Sequence, residues 1–328
     1  MPYAPTTRCF VTGGAGFIGS NLVDRLLADG HQVVAYDDFS TGQHEFVEAA
    51  SAHPAFRLIE GDCLDESALR DAMAGCEFVF HFAANADIRS GLDHPRRDIE
   101  QNILATFNVL EAMRSHGIIG IAYASSAAAL GEPSVFPTPE SCAVPIQTSL
   151  YGASKMACEG LVSSYCEGFG FEGYGFRFVS VLGERYPHGH VFDFVSALRK
   201  DPTRLRVLGD GTQRKSYLHV QDCVSAVLCA VRGRTAVDAP HRTQIYHLGL
   251  PEYVELMDSV RWICDHLGVD PEIELTGGRQ GWVGDNPFVF LDASKIQATG
   301  WTPQYTIQES VRATIDWLVA NPWILDRR

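Results

Sequence analysis

Tyr151 and Lys155 stand four residues apart. On a helix that spacing puts both side chains on one face, so both can enter one site. A free tyrosine ionises at a pKa of about 10 and is a poor base at neutral pH. An ammonium held beside it favours the phenolate and moves Tyr151 towards a usable base. Ser125 and Ser126 close a β-rich run upstream. A serine hydroxyl there can relay or share a proton with Tyr151. The Tyr-x-x-x-Lys spacing alone is common by chance, so its weight comes from a second pattern.

That pattern lies near the N-terminus. Phe10-Val11-Thr12 runs into Gly13-Gly14-Ala15-Gly16-Phe17-Ile18-Gly19, and helical spacing follows. The run satisfies G-x-G-x-x-G from Gly14 and G-x-x-G-x-x-G from Gly13. Such glycines permit a tight turn and let backbone N–H groups approach a pyrophosphate, with the positive end of the next helix facing it. Tyr36-Asp37-Asp38 ends the next strand, near the twenty-residue offset expected for an acid that holds adenosine ribose hydroxyls. A carboxylate there favours NAD over NADP, because it repels a 2′-phosphate. No Lys or Arg occurs from Asp37 to Glu45 to reverse that preference. Gly61-Asp62 ends a third strand and is placed to cap the adenine.

The elements that must position these groups follow from hydrophobic spacing. Runs rich in strand formers occupy 9–12, 32–36, 56–60, 77–82 and 118–125. Helical spacing fills 21–29, with Leu22, Val23, Leu26 and Leu27 on one face and Gly30 as a stop. It also fills 98–115, where Ile99, Ile103, Val109, Leu110 and Met113 recur. Alternating strands and helices predict a parallel sheet covered on both faces. Right-handed crossovers restrict it to a doubly wound, Rossmann-type α/β sheet, with ligands at the carboxyl ends of the strands. After about residue 180 the pattern becomes irregular, and 188–190 and 209–211 read as loops. Helical spacing returns at 222–232, 254–267 and 307–320. The expectation is a first domain over 1–180, to which part of 216–250 returns, and a smaller C-terminal α/β substrate-binding domain over 181–328. Trp282, Trp301, Trp317 and Trp323 are expected to pack that second domain.

Composition narrows the partners. The 328 residues carry 26 Lys+Arg against 40 Asp+Glu, a formal charge of -14, which argues against nucleic acid. Hydrophobic residues at 46% and charged residues at 20% exclude general disorder. No apolar run reaches the roughly 18 residues of a membrane helix, and the first residues lack the apolar core of a secretion signal. The nine cysteines are scattered without a C-x-x-C pair, which points to reduced thiols in the cytoplasm. His188-x-His190 with Asp193 offers metal-ligand chemistry, but a polar loop is expected.

Taken together, Thr12 to Gly19, His81-Phe82-Ala83-Ala84, Asn102, Ser125-Ser126, Tyr151-x-x-x-Lys155 and Arg177-Phe178 resemble the extended short-chain dehydrogenase/reductase family. More narrowly, they resemble its NAD-dependent nucleotide-sugar epimerase/dehydratase branch. The likeness continues through Gly209 to Gln213, Val220-Gln221-Asp222 and Leu291 to Lys295, so it covers nearly the whole chain. The resemblance implies that 1–180 binds NAD and that 181–328 mainly binds a nucleotide sugar. It implies that Tyr151 is the base, that Lys155 tunes it and holds the nicotinamide ribose, and that Ser126 is the catalytic serine. It further implies a cofactor groove of Gly13, Gly16, Phe17, Ile18, Gly19, Asp37, Asp38, Ser40, Asp62, Cys63, Ala83, Ala84, Asn102, Ser125 and Val179, besides Tyr151 and Lys155. Substrate would meet Ser126, Ser180, Val191, Arg214, Lys215 and Arg279, the last resembling the late arginine that holds the diphosphate. A homodimer through helices at 102–115 and 151–169 is also implied.

Departures from the family pattern select the reaction. Dehydratases of the family follow their catalytic Thr with Asp-Glu, and decarboxylases carry Glu at the second position. Here those positions are Ala127 and Ala128, which cannot transfer a proton. What remains is oxidation at C4, rotation of the 4-keto sugar and hydride return to the other face. Ser180 stands where Asn is common, and Leu130 replaces the usual Tyr before Gly131. Lys215 falls where an Arg is usual, with Arg214 beside it, and lysine lacks the bidentate fork. Residues 184–190 depart from the common Gly-Pro-Arg continuation. The expected function is an NAD-dependent 4-epimerase of a nucleotide-diphosphate sugar, UDP-glucose/UDP-galactose first. The alternatives are a dehydratase, decarboxylase or oxidoreductase on such a sugar, or a non-catalytic NAD(H) sensor.

Overall fold

Strand β1 (Arg8–Thr12) shows why the sheet is parallel and internal: Cys9, Phe10, Val11 and Thr12 are all fully buried. Successive side chains point to opposite faces. Phe10 belongs to a buried cluster with Leu69, Met73, Val109 and Met113, while Val11 belongs to a second cluster with Leu22, Leu26 and Val227. Such two-faced burial is the mark of a sheet covered by helices on both sides. The computed structural model describes residues 6–85, 87, 91–143, 146–233, 241–281 and 285–327.

The large sheet adds β2 (Gln32–Asp37), β3 (Phe56–Glu60), β4 (Phe78–His81), β5 (Gly120–Ser126), β6 (Glu172–Phe178) and, much later, β11 (Thr243–Leu248). Its order is β11-β6-β5-β4-β1-β2-β3, and every pairing is parallel. From β1 the chain winds outward to β3, then restarts at β4 on the other side. The crevice at that switch point collects the carboxyl ends of β1, β2, β4 and β5.

Helices α1 (Phe17–Ala28), α2 (Glu48–Ser51), α3 (Glu66–Met73), α4 (Pro95–Asp98), α5 (Ala105–His116) and α6 (Leu150–Phe169) belong to the first half. The second half carries α7 (His190–Lys200), α8 (Val220–Arg232), α9 (Leu256–Leu267), α10 (Ser294–Gln297) and α11 (Ile307–Ala320). Its short strands β7 (Ser180–Leu182) and β10 (Tyr217–His219) pair in parallel, as do β8 (Arg204–Val207) and β13 (Glu272–Leu275). Strand β9 (Arg214–Lys215) lies between β12 (Val254–Glu255) and β14 (Phe288–Val289). No helix among the described residues is long and apolar enough to cross a membrane.

The fold class is the one the spacing predicts, and the five expected strands and the 21–29 helix are present within a few residues. Three elements differ. The expected helix at 98–115 is interrupted by a π-helical turn, Ile99–Leu104, which carries Asn102. Such widened turns cluster at functional sites. Strand β6 is hidden in the sequence by Gly173 and Gly175. A Cβ on Gly175 would lie 2.5 Å from Tyr123 Oη, so the glycine serves close packing at the cost of a strand signal. Residues from His190 onward form helix α7 rather than continuing the loop. Its first residue, His190, bonds Ser259 Oγ at 2.8 Å through Nε2.

Trp301 is buried in the second half, but Trp317 and Trp323 also reach across to Phe46, at ring-centroid distances of 5.8 and 6.1 Å. Trp282 lies outside the described residues.

Candidate active site

The glycine turn joins β1 to α1 at the switch point. Gly13 has φ +67°, and a Cβ there would lie 2.7 Å from Ala83 N, so only glycine lets the turn approach the end of β4. Gly19 is held as tightly against Gly13 O. Gly16 caps α1 without a side-chain bond, and the first turn holds no carboxylate. The leading N–H groups of α1 are thus left for an anion. Gly13, Gly16, Phe17 and Ile18 are partly exposed along this turn.

Asp37 ends β2, and its carboxylate accepts Ala15 N and Phe39 N, both at 2.9 Å. Burial pushes its pKa up and the two N–H bonds oppose that rise. An ionised carboxylate offers about four acceptor sites, so capacity remains for a ribose hydroxyl. Asp38 Oδ1 closes the next turn on Ser40, accepting its N–H at 2.9 Å and its Oγ at 2.6 Å. Asp62 and Cys63 follow β3. Asp62 O accepts Tyr36 Oη at 3.1 Å, and Cys63 O accepts Asn108 Nδ2 at 3.0 Å. Ala83 N donates to Thr12 Oγ1 at 3.2 Å, and Ala84 follows it at the mouth of the crevice. This donor set fits a dinucleotide: open N–H groups for the pyrophosphate, a carboxylate for the ribose and small residues along the floor.

Ser126 is the last residue of β5, and Tyr151 and Lys155 lie on α6. Ser149 caps α6, its Oγ accepting Gly152 N at 3.0 Å. A hydrogen bond to Ser126 draws the Tyr151 pKa down, but burial outweighs it and pushes the phenol up to about 12. Lys155 Nζ lies 5.7 Å from the Tyr151 ring centroid and donates to Ala124 O at 3.1 Å. Burial lowers its own pKa. Beside the expected pull of the Lys155 ammonium, the structure thus sets an opposing effect, burial of the phenol. Desolvation of the phenolate is the largest effect on Tyr151.

Buried polar chains hold these groups. Asn102 Nδ2 donates to Ser154 Oγ at 2.8 Å, and its Oδ1 accepts Asn85 N at 2.8 Å. Thr12 Oγ1, His81, Thr106 and Cys158 form a continuous chain. Burial drives the His81 pKa down to about 3, so the imidazole in that chain is neutral. Ser125, expected in the cofactor groove, directs its hydroxyl to Glu159 Oε1 at 2.5 Å. Glu159 in turn holds Arg177 through two bonds of 2.8 and 2.7 Å. Val179 is buried, its N–H on Leu248 O at 3.1 Å.

The substrate side is less convergent. Ser180 is exposed at the start of β7. Val191 is fully buried within the core. Arg214 and Lys215 are adjacent on β9 and so point to opposite faces. Arg214 lies over the rings of Phe288 and Tyr253, at 4.3 and 5.6 Å. Lys215 Nζ is 2.8 Å from Asp285 Oδ1. Asp285 escapes a reading by motif, because its partner lies 70 residues away. Arg279 is exposed beyond β13.

Residues 9–249 match the model of the NAD dependent epimerase/dehydratase family. The chain is 32% identical to a UDP-glucose 4-epimerase of Mycolicibacterium smegmatis, over 94% of this chain and 98% of the relative. It is 31% identical to the UDP-glucose 4-epimerase of Corynebacterium glutamicum, over 91% and 92%. A crystal structure of a UDP-galactose 4-epimerase, 37% identical, covers 96% of this chain and 100% of its own, with a TM-score of 0.85. A Thermotoga maritima UDP-glucose 4-epimerase solved with UDP-glucose superposes with a TM-score of 0.84 at 26% identity, covering 96% and 99%.

Tyr151→Phe is expected to keep the fold and lose about 10²–10⁴-fold in turnover, the usual worth of a positioned acid/base. A phenolate absorbance titration, wild type against this variant, reads the same group directly. Without cofactor, the Tyr151 signal is expected above the ordinary value of about 10, and it falls when NAD+ is added. Unchanged turnover, or ionisation near neutrality without cofactor, contradicts the assignment.

Proposed function

The chain belongs to the NAD dependent epimerase/dehydratase family, and from that premise we propose a nucleotide-sugar 4-epimerase that interconverts UDP-glucose and UDP-galactose. NAD+, which the turn from Gly13 to Gly19 and Asp37 would hold, would supply a reversible hydride acceptor with no net consumption. The protein's own groups handle the proton. Tyr151 Oη takes it from the C4 hydroxyl as the 4-keto sugar forms, and gives it back after the ring has turned. Ser126 Oγ, bonded to Tyr151, shares the hydroxyl on which that proton sits. Lys155, fixed on Ala124 O, holds a positive charge beside the phenolate and orients the nicotinamide ribose.

One observation carries the reaction type. Ser126 runs directly into Ala127 and Ala128, where a dehydratase or decarboxylase needs an acid. Ala127 is buried, and neither alanine can carry a proton. The intact Ser126, Tyr151 and Lys155 argue against a sensor that only binds NAD(H). For the diphosphate we assign Lys215 and Arg279, with Arg214 on its aromatic shelf as the neighbouring cation. Nine free cysteines favour a reducing compartment, the cytoplasm.

We also assign a homodimer. Leu104, Phe107, Leu150, Met156 and Phe169 are exposed on or beside α5 and α6, the pair of helices expected to form the interface. Light scattering is expected to give twice the 36.0 kDa chain mass, and Phe107→Asp to shift it towards one chain. A wild-type monomer rejects this assignment.

Proton NMR of UDP-glucose with the purified protein and no added NAD tests the reaction. The expected result is conversion to UDP-galactose until equilibrium. A 4-keto-6-deoxy product, or inertness towards UDP-glucose with NAD supplied, overturns the reading.

A further inference from the structure

We propose that Arg327 is a positioning residue for the cofactor, fixing the loop that carries the ribose-binding end of β2. The inference rests on the assignment of NAD to the crevice.

The loop after Asp37 is laced to the glycine turn. Gln43 N donates to Ala15 O at 3.0 Å, and Ala15 N donates to Asp37 Oδ2 at 2.9 Å. Gly42 sits so near that a Cβ would lie 2.5 Å from Asp37 Oδ1 and 3.1 Å from Ala15 Cβ. Phe39, within the loop, has φ +56°, a conformation costly for a bulky residue and held only by its surroundings. A shift of this loop therefore moves both the carboxylate for the ribose and the turn for the pyrophosphate.

The loop's outer side is held from the far end of the sequence. Arg327 Nη2 donates to Glu45 Oε1 at 2.6 Å and Nη1 to Glu45 Oε2 at 3.1 Å. Nη1 also reaches Gln43 Oε1. The guanidinium lies over Trp323, 4.7 Å from the ring centroid. Trp323 and Trp317 clasp buried Phe46 of the same loop. The fork thus spans Gln43 and Glu45, the first of which makes the bond to Ala15.

Global stability does not account for this arrangement. Both partners are substantially exposed, 48% and 39%, and exposed pairs add little to folding. A planar fork on a carboxylate, stacked on an indole, does define position. A loop already in its bound shape spares the ligand the entropy of ordering it. Without Arg327 that ordering falls to the cofactor, and the cofactor leaves sooner.

The test is exchange of radiolabelled NAD into the full-length protein, with thermal melts alongside. Arg327→Ala and Glu45→Gln are each expected to speed exchange by about five-fold, in keeping with lost preorganisation, with little change in melting temperature. Exchanging the charges, Arg327→Glu with Glu45→Arg, restores slow exchange. Unchanged exchange overturns the inference, as does a lowered melting temperature with no faster exchange. Failure of the charge exchange to restore retention overturns it too. A wild-type protein that neither holds nor takes up labelled NAD removes the NAD assignment itself, and the inference with it.

Discussion

Helix α6 can bring Tyr151 to Ser126 only because Gly152 has no side chain. A Cβ at that position would lie 2.4 Å from Ala128 O, and the helix would have to lift off the end of β5. The next contacts repeat at helical spacing along the same face. Lys155 donates to Ala124 O, and Glu159 accepts the hydroxyl of Ser125. Three positions of one helix thus grip the end of one strand. Base, cation and serine are placed by that single seam, which is more exact than any loop could supply.

Burial of the seam sets its electrostatics. Removing Tyr151 from water raises its pKa, and removing Lys155 lowers its own, so each is biased towards the neutral form. A site built this way is poised for a charge that arrives with the cofactor. Beneath it, Arg177 and Glu159 form a bidentate pair only 8% and 10% exposed. Such a pair adds little net stability, yet removing one partner costs about 3–5 kcal/mol, because the other charge is stranded. Its value lies in fixing Ser125, and with it the end of β5.

Local patterns were legible in the sequence, and distant pairings were not. The turn at Gly13 to Gly19, the acid at Asp37 and the Tyr151–Lys155 pair all depend on short spacing, so their residues announce them. The parallel sheet was legible because its central strands are apolar on both faces. Strand β6 was obscured by the glycines that let Tyr123 approach it. The π-helical turn at Asn102 leaves the apolar spacing of 98–115 intact, so periodicity could not reveal it. Lys215 meets Asp285 only once the second half has folded on itself, and Arg327 meets Glu45 only where the second half reaches back to the first. The burial of Tyr151 was hidden for a related reason: spacing gives the neighbour's charge, whereas burial is a property of the whole fold.

In this reaction Tyr151 moves only a hydroxyl proton while the hydride is stored and returned within a closed site. UDP-glucose carrying deuterium at C4 tests it most directly. The expected product is UDP-galactose that keeps its deuterium at C4, with none in solvent and no net NADH. Deuterium lost to water, or a keto sugar accumulating with NADH, would contradict it.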